Sequence, residues 1–594
     1  MNIIEPTGEQ LLKSGFNGSR VNDELISGTD KGMVDAPKRI GVDEIRAAFS
    51  RLEIFRSGKA ELDDRIKKEE EWWKIRHWEM VNGNKKDLQP SSAWTFNAII
   101  NKHADLMEQM PKATCLPREK SDEKSASIIS DIFPVILDGT KWGKEYSKDC
   151  YYFIKHGTSC LRTTWDKSLA QGLGDVKIAS VELLNFFWEP GITDLQASSD
   201  VFEVELISLE KLKERYPEYK EQLKGGDTGI AGKYLSDNNY DTSEKALVIN
   251  WYYKKVNDYG KTVLHYCKFS GDCVLYASEN DPNCAERGFY DHGKYPYTLS
   301  VMYPIAGTCY GFGTIEAAKN PQLQIDCLDA SIMRYAKMKS TPRYWKKADV
   351  SFDVEKFANW DEHIVEVNGS IDEEKLKPIQ VENMDSFVVN TRNEKITELK
   401  ETIANRDVNS GGTGGGALSG AAIATLQKAG DKVSNDIVTL RYFDIQEVFE
   451  RVIDVMRQFY DEPRTIRITG TEGNRYEEFD NSALKEQITN EMGQELIRVP
   501  VYDIIVVAEK KNPYSTLAQN ETIVNLWGMG AFNPENAQAA QIAIELMEFD
   551  GKEKVLNYIK EGQTLYNVVQ QQQAQIQQYQ MMMSQMMPQN GVMV

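Results

Sequence analysis

The sequence has 594 residues, 41% of them hydrophobic and 27% charged, enough apolar material for several packed cores at ~100–200 residues per domain. Its 21 Phe, 27 Tyr and 11 Trp exclude a wholly disordered chain. Against 90 Asp and Glu stand 70 Lys and Arg, a net charge of −20. This excludes a protein that coats nucleic acid over its whole surface, because such coating rests on excess cation.

Residues 1–40, rich in Gly, Ser, Asn and Asp without periodicity, read as a mobile arm, and Met1 to Pro6 lack the basic and apolar regions of a secretory signal. No run approaches the ~18 apolar residues of a membrane span. From Asp43 to Met80 the pattern is helical and charged, with Asp43 as N-cap and Trp72, Trp73 and Trp78 gathered at one end for a core or subunit interface. The turn Val81-Asn-Gly-Asn precedes a second helix over Ala93–Met110, ended by Pro111 and Pro117. A third runs from about Asp122 to Phe153, kinked or split at Pro134.

Strands follow. Gly157–Asp166 alternates, Gly172–Asp175 turns, and Val176–Val181 returns, with Phe186–Pro190 closing the unit. A second meander comprises Ala246–Lys254, Thr262–Phe269 and Cys273–Ala277, after a flexible loop at Gly225–Asp241. Asn320 as N-cap and Pro321 at the first helical position open a helix to about Lys339. Residues 341–383 form a short mixed module with a strand at His363–Val367 and a turn at Asn368-Gly369. A largely polar helix spans about Asp385–Arg406, and a helix with so thin an apolar stripe suits the wall of a water-filled channel.

Asn409–Leu418 holds five glycines among positions 411–416, and Ser419-Gly420 opens a helix of about forty residues to Tyr460, kinked at Gly430. A phosphate cradle is the first reading of such a loop. The pattern GxxxxGK[ST] is absent, however, and Gly412-x-Gly414-x-x-Ala417 follows a charged helix where a dinucleotide site needs a buried strand. A mobile flap between two helices fits better. Thr465–Thr469 and Val501–Val507 read as strands, and Thr516–Gly562 as helices. Leu565, Val569, Gln572, Ile576, Tyr579, Met583 and Met586 fall in a heptad seam flanked by Gln, which is either a frayed tail or a helix that pairs with its copies.

Chemistry-bearing motifs are sparse. HExxH, HxH, GxSxG and the P-loop are absent, and runs such as Glu69-Glu70-Glu71 are those of solvated helix faces. The eight cysteines form no CxxC and read as small core hydrophobes in a reducing compartment. His265-x-Cys267 with Cys273 comes nearest to a metal cluster, but a fourth ligand at usual spacing is missing.

Several stretches, in order, carry a resemblance. They are Arg76-His-Trp-Glu-Met-Val-Asn-Gly83; Trp94-Thr-Phe-Asn97-Ala-Ile-Ile and Pro111; Gly157–Asp166, Gly174–Val181 and Phe187-Trp-Glu-Pro190; Gly311-Phe-Gly313 to Gln322-x-x-Ile325-Asp326; and Leu418 to Gly430. Across roughly residues 45–530 the chain resembles the tailed-bacteriophage portal proteins, the head-to-tail connectors. Each stretch alone is weak, and their order is the specific part.

The resemblance implies an α+β subunit, mostly helical, with wing, stem, clip and crown, in a homo-oligomeric ring, usually of twelve, at one capsid vertex. Double-stranded DNA would pass through its axis during packaging and ejection. Carried onto this chain, 1–40 is the arm, 41–320 the wing, 321–340 and 384–407 the stem helices, and 341–383 the clip. Then come the tunnel loop (408–419), a long kinked wing helix (420–462), wing return strands (463–515) and the crown with its Gln- and Met-rich tail (516–594). The tunnel loop would present Asn409, Ser410, Gly411, Gly412, Thr413, Gly414, Gly415, Gly416, Ala417 and Leu418 to the DNA. Cations to line the channel are Lys337, Lys339, Arg392, Lys395, Lys400 and Arg406, for which pairing with Glu394, Glu398 and Glu401 is the plainer reading. Arg343, Trp345, Lys346 and Lys347 of the clip would dock the large terminase subunit and the head-tail adaptor. The other partners implied are the major capsid protein and a scaffold, with no membrane, cofactor, catalytic residue or metal. The packaging ATPase must then be a separate protein. The alternatives are another ring-forming virion component, an adaptor or tail protein, or a metal-dependent nuclease or hydrolase using scattered Asp and Glu.

Overall fold

The structure, a computed structural model, describes residues 40–77, 91–119, 122–225, 244–257, 260–341, 344–346, 376–379, 381–403, 432–470, 473–485, 487–491, 494–498, 500–510, 528 and 568–583. The chain divides into two compact units, Met1–Ala508 and Glu509–Val594. The first unit mixes helix and antiparallel sheet, as an α+β chain should.

Two helices open it, α1 (Val42–Gly58) and α2 (Ala60–Trp73). The N-cap is Gly41, not Asp43: Gly41 is extended, and its amide donates to Glu44 Oε2 at 2.8 Å. Asp43 lies within the first turn, where its charge still favours the positive end of the helix dipole. The helices part at Lys59, which is buried. Its Nζ reaches the Phe186 carbonyl at 2.8 Å and Asp63 at 2.9 Å, and burial lowers its pKa.

Helix α3 (Trp94–Glu108) stops short of the prolines expected to end it. Pro111 and Pro117 lie instead in strand β1 (Gln109–Pro117), one half of a two-stranded sheet, where a missing N–H is tolerated. Helices α4 (Glu123–Gly139) and α5 (Trp142–His156) replace the single expected helix. Pro134 sits inside α4. The break falls at Lys141, whose φ is +55°. Burial of Ile132, Phe133, Ile136 and Leu137 carries α4 past its proline.

Strands β2 (Thr158–Asp166) and β3 (Asp175–Val181) pair in the expected hairpin, with Cys160 opposite Val181. Strand β4 (Phe186–Trp188) belongs to a different sheet. It pairs with β5 (Asp200–Ser208), a strand the sequence reading missed although Phe202, Val204 and Leu206 alternate with Glu203 and Glu205. After the short helix α6 (Leu209–Arg215), β6 (Lys245–Val256), β7 (Thr262–Ser270) and β8 (Cys273–Ala277) complete a five-stranded antiparallel sheet in the order β4-β5-β6-β7-β8. Strand β9 (Tyr297–Val301) joins β2, and β10 (Tyr303–Pro304) pairs with β11 (Gly311–Phe312).

Helix α7 (Thr314–Ser340) begins six residues before the expected Asn320, and Pro321 lies inside it. Ile315, Ala318, Gln322 and Ile325 bury one continuous face, so packing sets the start and the Asn-Pro signal is overridden. Strand β12 (Tyr344–Lys346) pairs antiparallel with β13 (Leu376–Pro378). Helix α8 (Ser386–Thr402) lies within the expected span, and Asp385, which the sequence reading had placed inside the helix, caps it by accepting from the Phe387 amide at 3.1 Å. The last long helix is described as α9 (Lys432–Phe459). Two hairpins follow, β14 (Arg464–Gly470) with β15 (Gly473–Phe479) and β16 (Gln487–Glu491) with β17 (Gln494–Arg498). Strand β18 (Tyr502–Lys510) pairs with β1, returning the chain to its N-terminal helices.

The main core joins α4, α5, the β2-β3 hairpin and α9 through Phe133, Tyr146, Phe153, Val176, Phe449 and Val452. A second core packs Ile45, Ala48, Leu52 and Phe55 of α1 on Phe202, Ile249 and Trp251 of the five-stranded sheet. Seven of the eight cysteines are buried and all are free, with Cys327 exposed. Burial pushes the Cys150 thiol up to about 12. His265 Nδ1 lies 3.1 Å from Ser278 Oγ, and among the described residues no three His, Cys, Asp or Glu are placed to hold a metal.

In the second unit, 568–583 form a helix exposed along its length. Its seam positions Val569, Ile576, Tyr579 and Met583 are all exposed. Leu565, Met586 and the helices expected over Thr516–Gly562, Gly528 apart, lie outside the described residues. So do the arm through residue 39, Trp78, the turn at Val81, most of the Gly225–Asp241 loop, the strand at His363–Val367, the turn at Asn368-Gly369 and Gly430. No helix among the described residues is long and apolar enough to cross a membrane.

Candidate functional site

The sequence points to the helix pair α7 and α8 and the segments joined to it. A crossing of two backbones sets where α7 starts. Gly157 ends α5 at φ +69°, and a Cβ there would lie 1.9 Å from the Phe312 carbonyl group. Gly313, the N-cap of α7, is as tight, since its Cβ would lie 2.3 Å from the Lys155 carbonyl oxygen. Only hydrogen side chains allow the two segments to cross, and the crossing fixes the axis of α7 on the core.

Helix α7 has 27 residues, ~40 Å. Its N-terminal half is buried on one face; from Ser331 to Ser340 its residues are half-buried or exposed. Helix α8 buries Leu399 fully, and Ile403 follows just beyond it, both against Ala98, Ala318 and Ile325, with Trp94 and Ile396 at the edge. Away from this base the two helices are held by polar bridges. Arg392 pairs with Asp329, its Nη2 donating to Oδ2 at 3.3 Å. That hydrogen bond raises the pKa of a guanidinium already charged at any working pH. The Tyr335 hydroxyl donates to the Glu382 carbonyl at 2.7 Å. Lys339 Nζ donates to the Val381 carbonyl at 3.2 Å and to Asn383 Oδ1 at 2.9 Å.

These bridges account for several predicted cations. Arg392 and Lys339 tie one helix to the other or to the segment leading into it. Lys395 lies 2.7 Å from Glu398 on its own helix, the plainer reading foreseen for it, and Lys400 stands 5.3 Å over the Trp94 ring. Lys337 is exposed. Asn393, Glu394, Thr397, Glu398, Glu401 and Thr402 line an open depression along α8, so much of that face is acidic or neutral. Asp329 had not been singled out from the sequence, although it precedes Arg334 and Lys337 in the same run, and Trp94 had been named only within a stretch that carries the resemblance.

Of the docking residues, Trp345 and Lys346 lie in β12, with Trp345 opposite Lys377 and Lys346 opposite Leu376. Arg343, Lys347 and Arg406 lie outside the described residues, as does the whole glycine segment Asn409–Leu418.

Compared with known families, the chain matches the phage P22-like portal protein family over residues 64–267 and 261–593. The chain belongs to that family. It is a tailed-phage portal protein, as the ordered resemblances of the sequence implied. Among curated proteins none matches the chain. The family's place is the virion, at the capsid vertex. Within this portal protein the polar bridges of α7 and α8 are the structural content of a helix pair that projects from a packed base.

Proposed function

We propose that this portal protein assembles as a ring, usually of twelve copies, around an axial channel through which double-stranded DNA enters and leaves the capsid. The observation that carries the reading is the α7-α8 pair. Two adjacent helices leave the core with few buried apolar residues and are joined by ion pairs and hydrogen bonds. Such helices are stable in contact with water and suit a wet wall. The acidic and neutral residues along the α8 depression repel phosphate and let a polyanion slide, while exposed cations such as Lys337 guide it without trapping it.

In this reading α7 and α8 are the stem, and the segment between them, carrying β12 and β13, is the clip. The clip docks the terminase motor and later the head-tail adaptor through Arg343, Trp345, Lys346 and Lys347. Asn409–Leu418 is the tunnel loop, its glycines letting backbone approach DNA closely. The exposed seam of 568–583 pairs with neighbouring copies around the ring. The protein acts structurally, and ATP hydrolysis belongs to the motor.

Replacing Gly411, Gly414 and Gly416 together by Pro tests the loop. Ring assembly is expected to persist while packaging or retention of the genome falls. Normal genome filling by such rings contradicts the loop's role.

A further inference from the structure

Helix α3 has no cap of its own. Ala93 precedes it, and a methyl side chain accepts nothing. Its first polar groups are met instead from α7, 227 to 234 residues along the chain. The Thr95 amide and hydroxyl donate to Gln322 Oε1 at 3.3 and 3.2 Å. The Ser92 amide and hydroxyl donate to Asp326 Oδ1 at 3.0 and 2.8 Å. Gln322 Nε2 donates to the Ser92 carbonyl at 3.0 Å and to Asp326 Oδ1 at 3.1 Å. The other carboxylate oxygen of Asp326 lies 2.7 Å from His77 Nε2, and both residues are buried. A carboxylate at a helix N-terminus gains from the dipole as well as from the hydrogen bonds.

His77 is delivered to Asp326 by a strained turn. Helix α2 ends with the Arg76 amide on the Glu71 carbonyl at 2.9 Å and the Ile75 amide on the Trp72 carbonyl at 3.0 Å. This arrangement places a left-handed residue at the position where glycine or asparagine is usual. Here it is Ile75, at φ +59°, and a β-branched side chain strongly disfavours that conformation. The Trp72 and His77 rings stack across the turn, centroids 4.1 Å apart and planes 7° from parallel. Contacts on both sides thus hold Ile75 where it would not rest alone.

We propose that His77, Ser92, Thr95, Gln322 and Asp326 form a two-position joint between α7 and the N-terminal helices. In the closed position Gln322 caps α3 through Thr95, Asp326 holds Ser92 just ahead of the helix, and Ile75 is left-handed. In the open position Asp326 and His77 separate, the first turn of α3 loses its cap, and Ile75 relaxes. Strain released only on opening narrows the gap between the two positions. A load that displaces α7 is therefore felt at residues 72–95. The joint stands on this geometry alone and does not depend on the chain carrying DNA.

Hydrogen exchange on the full chain, in the assembly it adopts, tests the joint. In Asp326→Asn, exchange at the amides of 92–98 is expected to rise about tenfold, as befits loss of a charged acceptor, with β6 and β7 unchanged. Ile75→Gly is expected to slow exchange at the same amides and, combined with Asp326→Asn, to restore part of the protection. The proposal is overturned if Asp326→Asn leaves 92–98 unchanged or accelerates β6 and β7 equally, or if Ile75→Gly has no effect in either background. Should Asp326→Asn fail to fold, Ile75→Gly alone decides: slower exchange at 92–98 supports the joint, and unchanged or faster exchange overturns it.

Discussion

Arg441 of α9 and Asp149 of α5 form an ion pair with neither side chain exposed, under Tyr146 and Phe153, and Ser159 donates to the same carboxylate at 2.9 Å. Removing one partner strands a charge in the core. Asp149→Ala should therefore destabilise the fold by ~3–5 kcal/mol, measured by denaturant unfolding, while Asp149→Ala with Arg441→Met should recover most of that. A wild-type midpoint in the single variant would contradict the account. One turn along α9, Asp444 titrates. Burial raises its carboxyl from 3.8 to about 7, against the opposing pull of Arg441 and a Ser300 hydrogen bond. The folded chain keeps this proton where the unfolded chain has lost it. The stability it brings is full below about pH 3.8 and is lost as pH rises through about 7. Asp444→Asn, which mimics the protonated acid, should melt ~2 °C higher than wild type at pH 8 and no differently near pH 4. Equal melting at both values would show that this acid does not limit stability.

At the scale of elements, the Gly157–Gly313 crossing sets the start of α7. Gly313→Ala forces a methyl to 2.3 Å from the Lys155 carbonyl oxygen, so one backbone must shift. A loss of ~2–4 kcal/mol is expected in denaturant unfolding. A loss no larger than that of an exposed Gly→Ala would mean the crossing is loose. Elements defined by short-range pattern were legible in the sequence. The β2-β3 hairpin and the polar stripe of α8 follow from local alternation, turn chemistry and spacing. Boundaries set by distant packing were not. Pro134 and Pro321 signal a stop and a start, yet neighbouring apolar faces carry both helices past them. The break at Lys141 is announced locally by Asp138-Gly139, a turn dipeptide that the reading passed over in favour of Pro134. The cation assignments divided for the same reason. Lys395 meets Glu398 on its own helix, a contact local spacing can foresee. Arg392 meets Asp329 63 residues away, Lys400 meets Trp94 across the base, and Asp326 meets His77 249 residues away. No periodicity encodes such meetings.

At the scale of the whole molecule, the account rests on copies of the chain enclosing a bore, with the α7-α8 pairs facing it. The chain's acidity forbids the tight, general phosphate binding of a DNA coat and suits a passage that DNA must leave as readily as it enters. Electron microscopy of the purified, assembled full-length protein tests this most directly. The account predicts closed rings with an axial opening wide enough for a DNA duplex. Single compact particles, or closed assemblies without an axial hole, under conditions that permit assembly, would contradict it.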